Sequence, residues 1–249
     1  MLARYYYAKR RRSALAAAAA PPAATYADIV AAMSPDAFWP LQDASGNFVD
    51  ISGNGYDAAV TGSPTYENTG PTINGEATSA VGFSGTAQYG VASEAIDDGV
   101  TTSTGMTISL WFKTSDTLAN PVAKKAAGQY AFDIYLDSSP NIELNTYQTD
   151  GASLSASAET SGTYGDDAWH HCVAWVDATT NYIHITLDDT ETINNTSPAG
   201  TWNAESDSAF GIGAISNGNG AYAGDLAFVA YWQRALTSGE RATLYSGVE

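Results

Sequence analysis

The sequence has few basic residues, one cysteine and no long apolar run, and each shortage excludes a class of protein. Cys172 is the single cysteine in 249 residues, so neither an intrachain disulfide nor a cysteine-rich zinc site can form. No run of about 18 apolar residues is present, so we predict no membrane insertion. Only 10 residues are basic against 27 acidic ones, and the net charge of −17 argues against nucleic acid as a partner.

The few cations are concentrated at the start of the chain. Residues 1–12 carry +5, while the other five cations and all 27 acids give the remaining residues −22. A basic segment rich in alanine and proline has too little apolar surface to order itself. We therefore predict that residues 1–24 are an anchoring arm that binds an acidic groove through arginine and tyrosine side chains. The predicted anchoring residues are Arg4, Tyr5, Tyr6, Tyr7, Lys9, Arg10, Arg11 and Arg12.

Two other interpretations of this segment stay open. A basic start followed by the apolar run 13–20 and small residues is typical of a secretory signal, although the run is short and ends at Pro21 and Pro22. Alternatively, the segment packs against the acidic remainder of its own chain.

From residue 37 onward the sequence consists of short β-type runs between turns. Residues 106–113 alternate, with Ile108, Leu110 and Phe112 on one face. Similar runs occupy 130–136, 169–176, 182–187 and 221–232, separated by turns rich in Gly, Asn and Ser. Short helices are predicted at 26–33, capped by Thr25, and at 237–245, capped by Thr237 or Ser238. The pattern predicts an all-β sandwich or jelly roll, with residues 25–36 as helix and linker and 37–249 as one domain.

Seven motifs in a fixed order resemble the laminin-G-like, concanavalin A-like jelly-roll domains, in particular the type seen in tailed-phage virion proteins and in bacterial secreted proteins. The resemblance implies a concanavalin A-like sandwich of two antiparallel sheets. The motifs are AFWPL at 37–41, DISGNG at 50–55, AVGFSGTAQ at 80–88, MTISLWFK at 106–113, WHH at 169–171, FGIG at 210–213 and GDL at 224–226 with RALT at 234–237.

The resemblance and the arm together predict a non-enzymatic virion structural protein of a tailed phage, decorating the capsid or associated with the tail. The arm would bind other virion proteins, while the lectin-like domain would face outward and bind host or environmental glycans. One alternative is a secreted carbohydrate-binding module or a glycoside-active enzyme of the same superfamily. Another is a self-assembling scaffold, a homo-oligomer in which the arm inserts into a neighbouring copy.

Catalytic chemistry finds little support in the sequence. Glycoside hydrolysis needs two carboxylates across a cleft, and catalytic members of the superfamily carry alternating acids on one strand. Here only Asp133 and Asp137 share a strand face, and solvated surface acids are the more common explanation. Adjacent strand residues point to opposite faces, so His170 and His171 cannot chelate one ion, and Cys172 is predicted to be an inert core thiol.

Two kinds of ligand site remain as predictions. The resemblance implies one structural calcium ion, with Asp50, Asn54 and Asp225 as candidate ligands. Asp225 is displaced by one residue from the usual position, which weakens the predicted site. No cofactor is predicted to be required. Loop aromatics beside hydrogen-bonding groups are the candidates for glycan binding, with core packing as the alternative. They are Tyr147, Tyr164, Trp202 and Tyr222, together with Asn219. The strand tryptophans are predicted to be packed: Trp39, Trp111, Trp169, Trp175 and Trp232.

Overall fold

The computed structural model describes residues 24–97, 104–126, 129–150, 154–177, 180, 182–194, 202–203 and 207–246. The predicted anchoring arm, apart from Ala24, lies outside the described residues. The helices are α1 (Tyr26–Ala32) and α2 (Ser238–Ser246), with a 3-10 turn at Glu94–Asp97. The strands are β1 (Ala37–Trp39), β2 (Ala59–Thr61), β3 (Thr65–Ile73), β4 (Glu76–Ser84), β5 (Tyr89–Ala92), β6 (Met106–Lys113), β7 (Ala119–Ala126), β8 (Gln129–Leu136), β9 (Ile142–Tyr147), β10 (Leu154–Glu159), β11 (Trp169–Asp177), β12 (Tyr182–Leu187), β13 (Thr190–Asn194), β14 (Phe210–Ile212) and β15 (Ala223–Trp232).

The strands form two antiparallel sheets. The eight-stranded sheet has the order β13-β12-β11-β6-β15-β4-β3, and β1 also pairs with β15. The seven-stranded sheet has the order β10-β9-β8-β7-β14-β5-β2. Neighbours such as β6 and β15 are far apart in sequence, as expected of a jelly roll. The predicted all-β sandwich is confirmed.

The main core lies between the two sheets. Ile108, Leu110 and Phe112 of β6 are fully buried there, which confirms the predicted alternation. Phe132 and Ile134 of β8 face them from the other sheet. Because side chains alternate along a strand, Asp133 and Tyr135 of β8 point away from this core.

A second apolar layer covers the outer face of the eight-stranded sheet. Tyr26 and Val30 of α1 and Leu244 of α2 pack there against strand residues that include Trp111 and Trp232. Both helices begin with a capping box, as expected from Thr25 and Thr237: Thr25 with Asp28, and Thr237 with Glu240. Segment 25–36 is therefore part of the packed body. No helix in the described part of the chain is long and apolar enough to cross a membrane.

A bulge in β15 lets one strand serve several partners. Its pairing with β6 shifts register between Ala227 and Ala230, and Phe228 has a positive φ of 51°. Before the bulge β15 pairs with β4, and after it with β1. A bulge bends a strand and interrupts its ladder, which makes this change of partner feasible. The ring of Phe228 packs edge-on against Tyr26, at 4.9 Å between centroids.

Candidate functional site

The outer face of the seven-stranded sheet carries polar and aromatic side chains, and no described helix covers it. We call the outward side chains of β8, β9 and β10, with Lys125 and Tyr130 beside them, the open face. Backbone pairing brings them into rows, because Asp133 lies opposite Asn145, and Glu143 lies between Tyr135 and Glu159. The open face consists of Lys125, Tyr130, Asp133, Tyr135, Asp137, Glu143, Asn145, Tyr147, Ser157 and Glu159.

The centre of the open face is a buried ion pair enclosed by tyrosines. Lys125 Nζ lies 2.7 Å from Asp133 Oδ2 and 2.6 Å from the Tyr147 hydroxyl. The same nitrogen lies over the rings of Tyr130 and Tyr147, 4.9 and 4.7 Å from their centroids. Burial and the charge of Asp133 raise the pKa of Tyr147, so this hydroxyl stays protonated. Asp133 Oδ1 is buried and accepts no hydrogen bond from the residues that the structure describes.

Three carboxylates converge at one end of the open face. Among the described residues, Asp137, Glu143 and Glu159 are the one group of potential metal ligands whose atoms all lie within 4.8 Å of one another. Asn145 donates to Glu143 Oε2 at 3.0 Å, and Asn141 donates to both Asp137 and Glu159. Oxygen groups of this kind suit a divalent cation or the hydroxyls of a sugar.

The pKa of Glu143 is raised above its ordinary value. Burial raises the pKa of Glu143 most, the charges of Glu159, Asp137 and Asp133 raise it further, and the hydrogen bond from Asn145 opposes them. Burial also raises the pKa of Tyr135, which faces Glu143 across the ladder. The fold therefore favours protonated, hydrogen-bond-donating forms of both groups.

The predicted pair Asp133 and Asp137 does share a strand face, but each carboxylate is already bound within the chain. Asp133 is held by Lys125 and Tyr147. Asp137 Oδ1 accepts hydrogen bonds from the backbone amides of Ser139 and Asn141, at 2.7 and 2.9 Å. Both carboxylates thus have structural contacts.

The glycan-binding candidates predicted from the sequence differ in how far they are exposed. Tyr147 lies on the open face, 8% exposed. Tyr164 is half-buried, with its ring 5.1 Å from that of His170, and Asn219 is exposed in a turn. For Trp202 and Tyr222 the expectation must be corrected, because both are in the core, at 4% and 0% exposure. Because both rings pack against apolar side chains of the main core, neither presents a face to a ligand.

Of the strand tryptophans, Trp39, Trp111, Trp175 and Trp232 are buried, as predicted. Trp169 is half-buried at the edge of the helix-covered layer.

The predicted calcium ligands each bind protein groups. Asp50 Oδ1 accepts from the amides of Phe38 and Ser52, and its Oδ2 accepts from Ser52 Oγ and the Tyr56 amide. Asn54 donates to the Asp36 carbonyl at 2.9 Å. Asp225 accepts from Asn68 at 2.7 Å, between β15 and β3. Asp50 thus joins its turn to the first strand.

The two adjacent histidines point to opposite faces of β11, as predicted. His170 lies 2.6 Å from Asp188 and 3.0 Å from Asp166. Burial lowers the pKa of His170, but these hydrogen bonds outweigh it and the net shift is upward. His171 is buried beneath α1, near Tyr26. Cys172 is buried, and burial raises the pKa of its thiol, so it is unreactive.

Sequence reasoning missed most of the open face. Glu143, Asn145 and Glu159 were not singled out, although the segment IELNTY alternates apolar and polar residues as a half-buried strand does. That alternation could have indicated an outward row ending at Tyr147. The position of Lys125 beside β8 depends on a register shift between Lys124 and Lys125 in the pairing of the two strands. No local sequence pattern indicates that shift.

Solved structures with a similar fold include several that bind other molecules. The receptor binding domain of botulinum neurotoxin C/D mosaic serotype matches with a TM-score of 0.61 at 10% identity, over 86% of this chain and 51% of that one. Domain 4 of AbnA, an extracellular arabinanase from Geobacillus stearothermophilus solved with arabinotriose, matches with a TM-score of 0.58 at 16% identity, over 86% and 98%. Trypanosoma rangeli sialidase with sialic acid matches at 0.58 and 15% identity, over 84% and 32%.

This chain spans about half the length of the toxin domain. No curated protein matches the chain in sequence. One family model matches residues 84–240, which is more than half of the chain. The match covers β5 to β15 and the whole open face, and it does not reach β1, β2 or β3. The chain therefore belongs to the concanavalin A-like lectin/glucanase superfamily.

Proposed function

We propose that this protein is a non-catalytic glycan-binding domain that uses the open face. The observation that carries the proposal is the asymmetry of the sandwich: helices cover the outer face of one sheet, while the other presents tyrosines among hydrogen-bonding side chains. Tyr130 and Tyr135 are half-buried there, and accessible ring surface beside polar side chains is typical of a binding surface.

The chemistry of the open face fits carbohydrate. Half-buried Tyr130 and Tyr135 offer ring surface for the C–H groups of a sugar. Half-buried Glu143 and exposed Glu159 lie on neighbouring strands and offer acceptors for hydroxyl groups. The similarity to domain 4 of AbnA, a structure determined with arabinotriose, supports the same ligand class.

Binding without turnover is favoured by how the carboxylates are held. Asp133 and Asp137, the pair on one strand, are engaged with Lys125 and with backbone amides respectively. A catalytic acid and its partner must be able to exchange a proton or attack the sugar, so carboxylates fixed by several donors suit recognition better.

The test is affinity for neutral polysaccharides, measured by affinity electrophoresis of the full chain in gels containing arabinan, xylan or galactan. We expect Tyr135→Ala to weaken binding about tenfold, or ~1.4 kcal/mol, because a stacking ring is lost. The matched control is Tyr182→Ala, which removes an exposed tyrosine from β12 of the other sheet. Equal retardation of both variants, or no retardation of the native chain by any polymer, contradicts the proposal.

We also propose where the domain works: on the surface of a virion, attached through residues 1–24. The observation behind this is the division of charge, with +5 in residues 1–12 and −22 in the rest. A basic segment on an acidic domain suits an acidic groove on a partner protein.

Deletion of residues 1–24 separates the two roles. We expect the truncated protein to keep its affinity for polysaccharide and to lose association with particles, measured by co-sedimentation with virions. Truncated protein that still incorporates as the full chain does would show that the segment is not an anchor.

A further inference from the structure

A second candidate site lies under α2, on the far side of the molecule from the open face. It is a cavity of about 140 Å³ on the outer face of the eight-stranded sheet. His171, Val173 and Thr186 of β11 and β12 form its floor, and Asp189 lies in the turn after β12. One side of α2 forms its wall, through Ser238, Arg241, Ala242 and Tyr245.

Several polar groups of this pocket have no partner within the described part of the chain. His171 is only 2% exposed, and its Nε2 lies 3.1 Å from the Tyr26 hydroxyl and 3.0 Å from Ser109 Oγ. Among the described residues its Nδ1 makes no hydrogen bond, and neither do the Thr186 and Ser238 hydroxyls nor the Asp189 carboxylate. Thr186 is half-buried and Ser238 and Asp189 are exposed at the edge of the cavity, so the buried polar side chain of this lining is His171. A ligand that hydrogen-bonds the imidazole from the cavity would satisfy its second nitrogen.

The neutral ring of His171 can form a hydrogen bond with a ligand in the pocket. Burial lowers the pKa of His171 to about 4, so the ring is neutral near neutral pH. Burial raises the pKa of Tyr26, so its hydroxyl keeps a proton that it can donate to Nε2. When the Tyr26 or Ser109 hydroxyl donates to Nε2, Nδ1 carries the ring proton and donates to a ligand; in the other tautomer Nδ1 accepts from it.

Among the described residues of the lining, one side chain is basic and one is acidic. Arg241 is held in place, with its guanidinium carbon 3.8 Å from the centroid of the Trp175 ring and a hydrogen bond to the Leu236 carbonyl. Asp189 is the opposite charge of the lining. An anion would meet Asp189 and a cation would meet Arg241, so the lining favours a neutral ligand that both donates and accepts hydrogen bonds.

Size and shape restrict the ligand further. A cavity of this volume holds on the order of ten water-sized groups, which matches one sugar ring and is too small for a chain of them. The aromatic ring of Tyr245 and the side chains of Val173 and Ala242 offer apolar surface to the C–H groups of such a ring.

We propose that this pocket binds a single neutral pyranose unit, either free or at the end of a glycan chain. Thr186, Ser238, Asp189 and Nδ1 of His171 would contact its hydroxyls. The proposal does not depend on the open face, because both sheets lie between the two sites.

The test follows the imidazole nitrogen signals of His171 by NMR while methyl pyranosides of glucose, galactose, mannose, xylose and N-acetylglucosamine are added to the full chain. We expect at least one of them to shift the Nδ1 signal saturably. Ala242→Phe should weaken that binding about tenfold or more, because the larger side chain fills the cavity. The matched control is Ala31→Phe, the same change at an exposed position of α1, and it should leave the affinity within about twofold.

Three results would overturn the proposal: no response to any of the sugars, equal affinity in Ala242→Phe and native protein, or tighter binding of inorganic phosphate or acetate than of every sugar. Tyr135→Ala keeps the result distinct from that for the open face. In that variant the response of His171 should persist even where retardation by polysaccharide is lost.

Discussion

Glu143 shows how one residue of the open face is shaped by neighbours that are remote in sequence. Its strand places it opposite Tyr135 and Glu159, and Asp137 joins it through the following row. A single carboxylate at this position would be an ordinary surface acid. Burial and the two neighbouring acids make the ionised form of Glu143 unfavourable. A ligand that donates a hydrogen bond to this carboxylate would stabilise the ionised form.

Replacing Glu143 with glutamine should stabilise the protein at neutral pH. The pKa of Glu143 in the fold lies above its ordinary value, so the fold favours the protonated carboxyl. The native chain therefore loses stability as the pH rises through that pKa, and Glu143→Gln avoids this loss. Urea unfolding at about pH 4.5 and about pH 7 checks the effect.

The expected result is a variant that exceeds the native chain at the higher pH, with a gap that shrinks at the lower one. Glu67→Gln, at an exposed position of β3, is the control and should show no such gap. A destabilised Glu143→Gln, or a gap independent of pH, would show that the fold does not disfavour the ionised form of Glu143.

At the scale of elements, local sequence patterns predicted the ends of a strand or helix where those ends depend on its own residues. The run 106–113 alternates so regularly that β6 has the predicted ends. Both helices begin at the predicted caps. The aromatic candidates Trp202 and Tyr222 were misplaced because their segments look like loops, while their burial depends on contacts with distant parts of the chain.

The capping box of α1 contributes to the free energy of unfolding by an amount that can be measured. The Thr25 side chain accepts from the Asp28 amide at 3.1 Å, and the Asp28 carboxylate accepts from the Thr25 amide at 2.9 Å. We expect Thr25→Ala to lower the free energy of unfolding by about 1 kcal/mol. Thr117→Ala, in an exposed turn, is the comparison. Equal unfolding midpoints for the two variants would mean that α1 contributes little to stability.

At the scale of the molecule, the sequence motifs predicted the superfamily and the sandwich, but not which surface would be open. That depends on the position of α1 and α2, which both cover the eight-stranded sheet although they lie at opposite ends of the described chain. It also depends on pairing between strands β7 to β10. Long-range pairing of this kind leaves no local signature, so the site could be predicted only for the residues that a single strand aligns, such as Asp133 and Asp137.

The central claim is that the open face binds glycan, and mapping the contact surface tests it most directly. Backbone amide signals would be followed by NMR while oligosaccharides of the best-retained polysaccharide are added. The account predicts perturbations concentrated on β8 and β9, around Asp133, Tyr135, Glu143 and Tyr147. Perturbations confined to the helix-covered sheet would contradict it, as would an unchanged spectrum at saturating oligosaccharide.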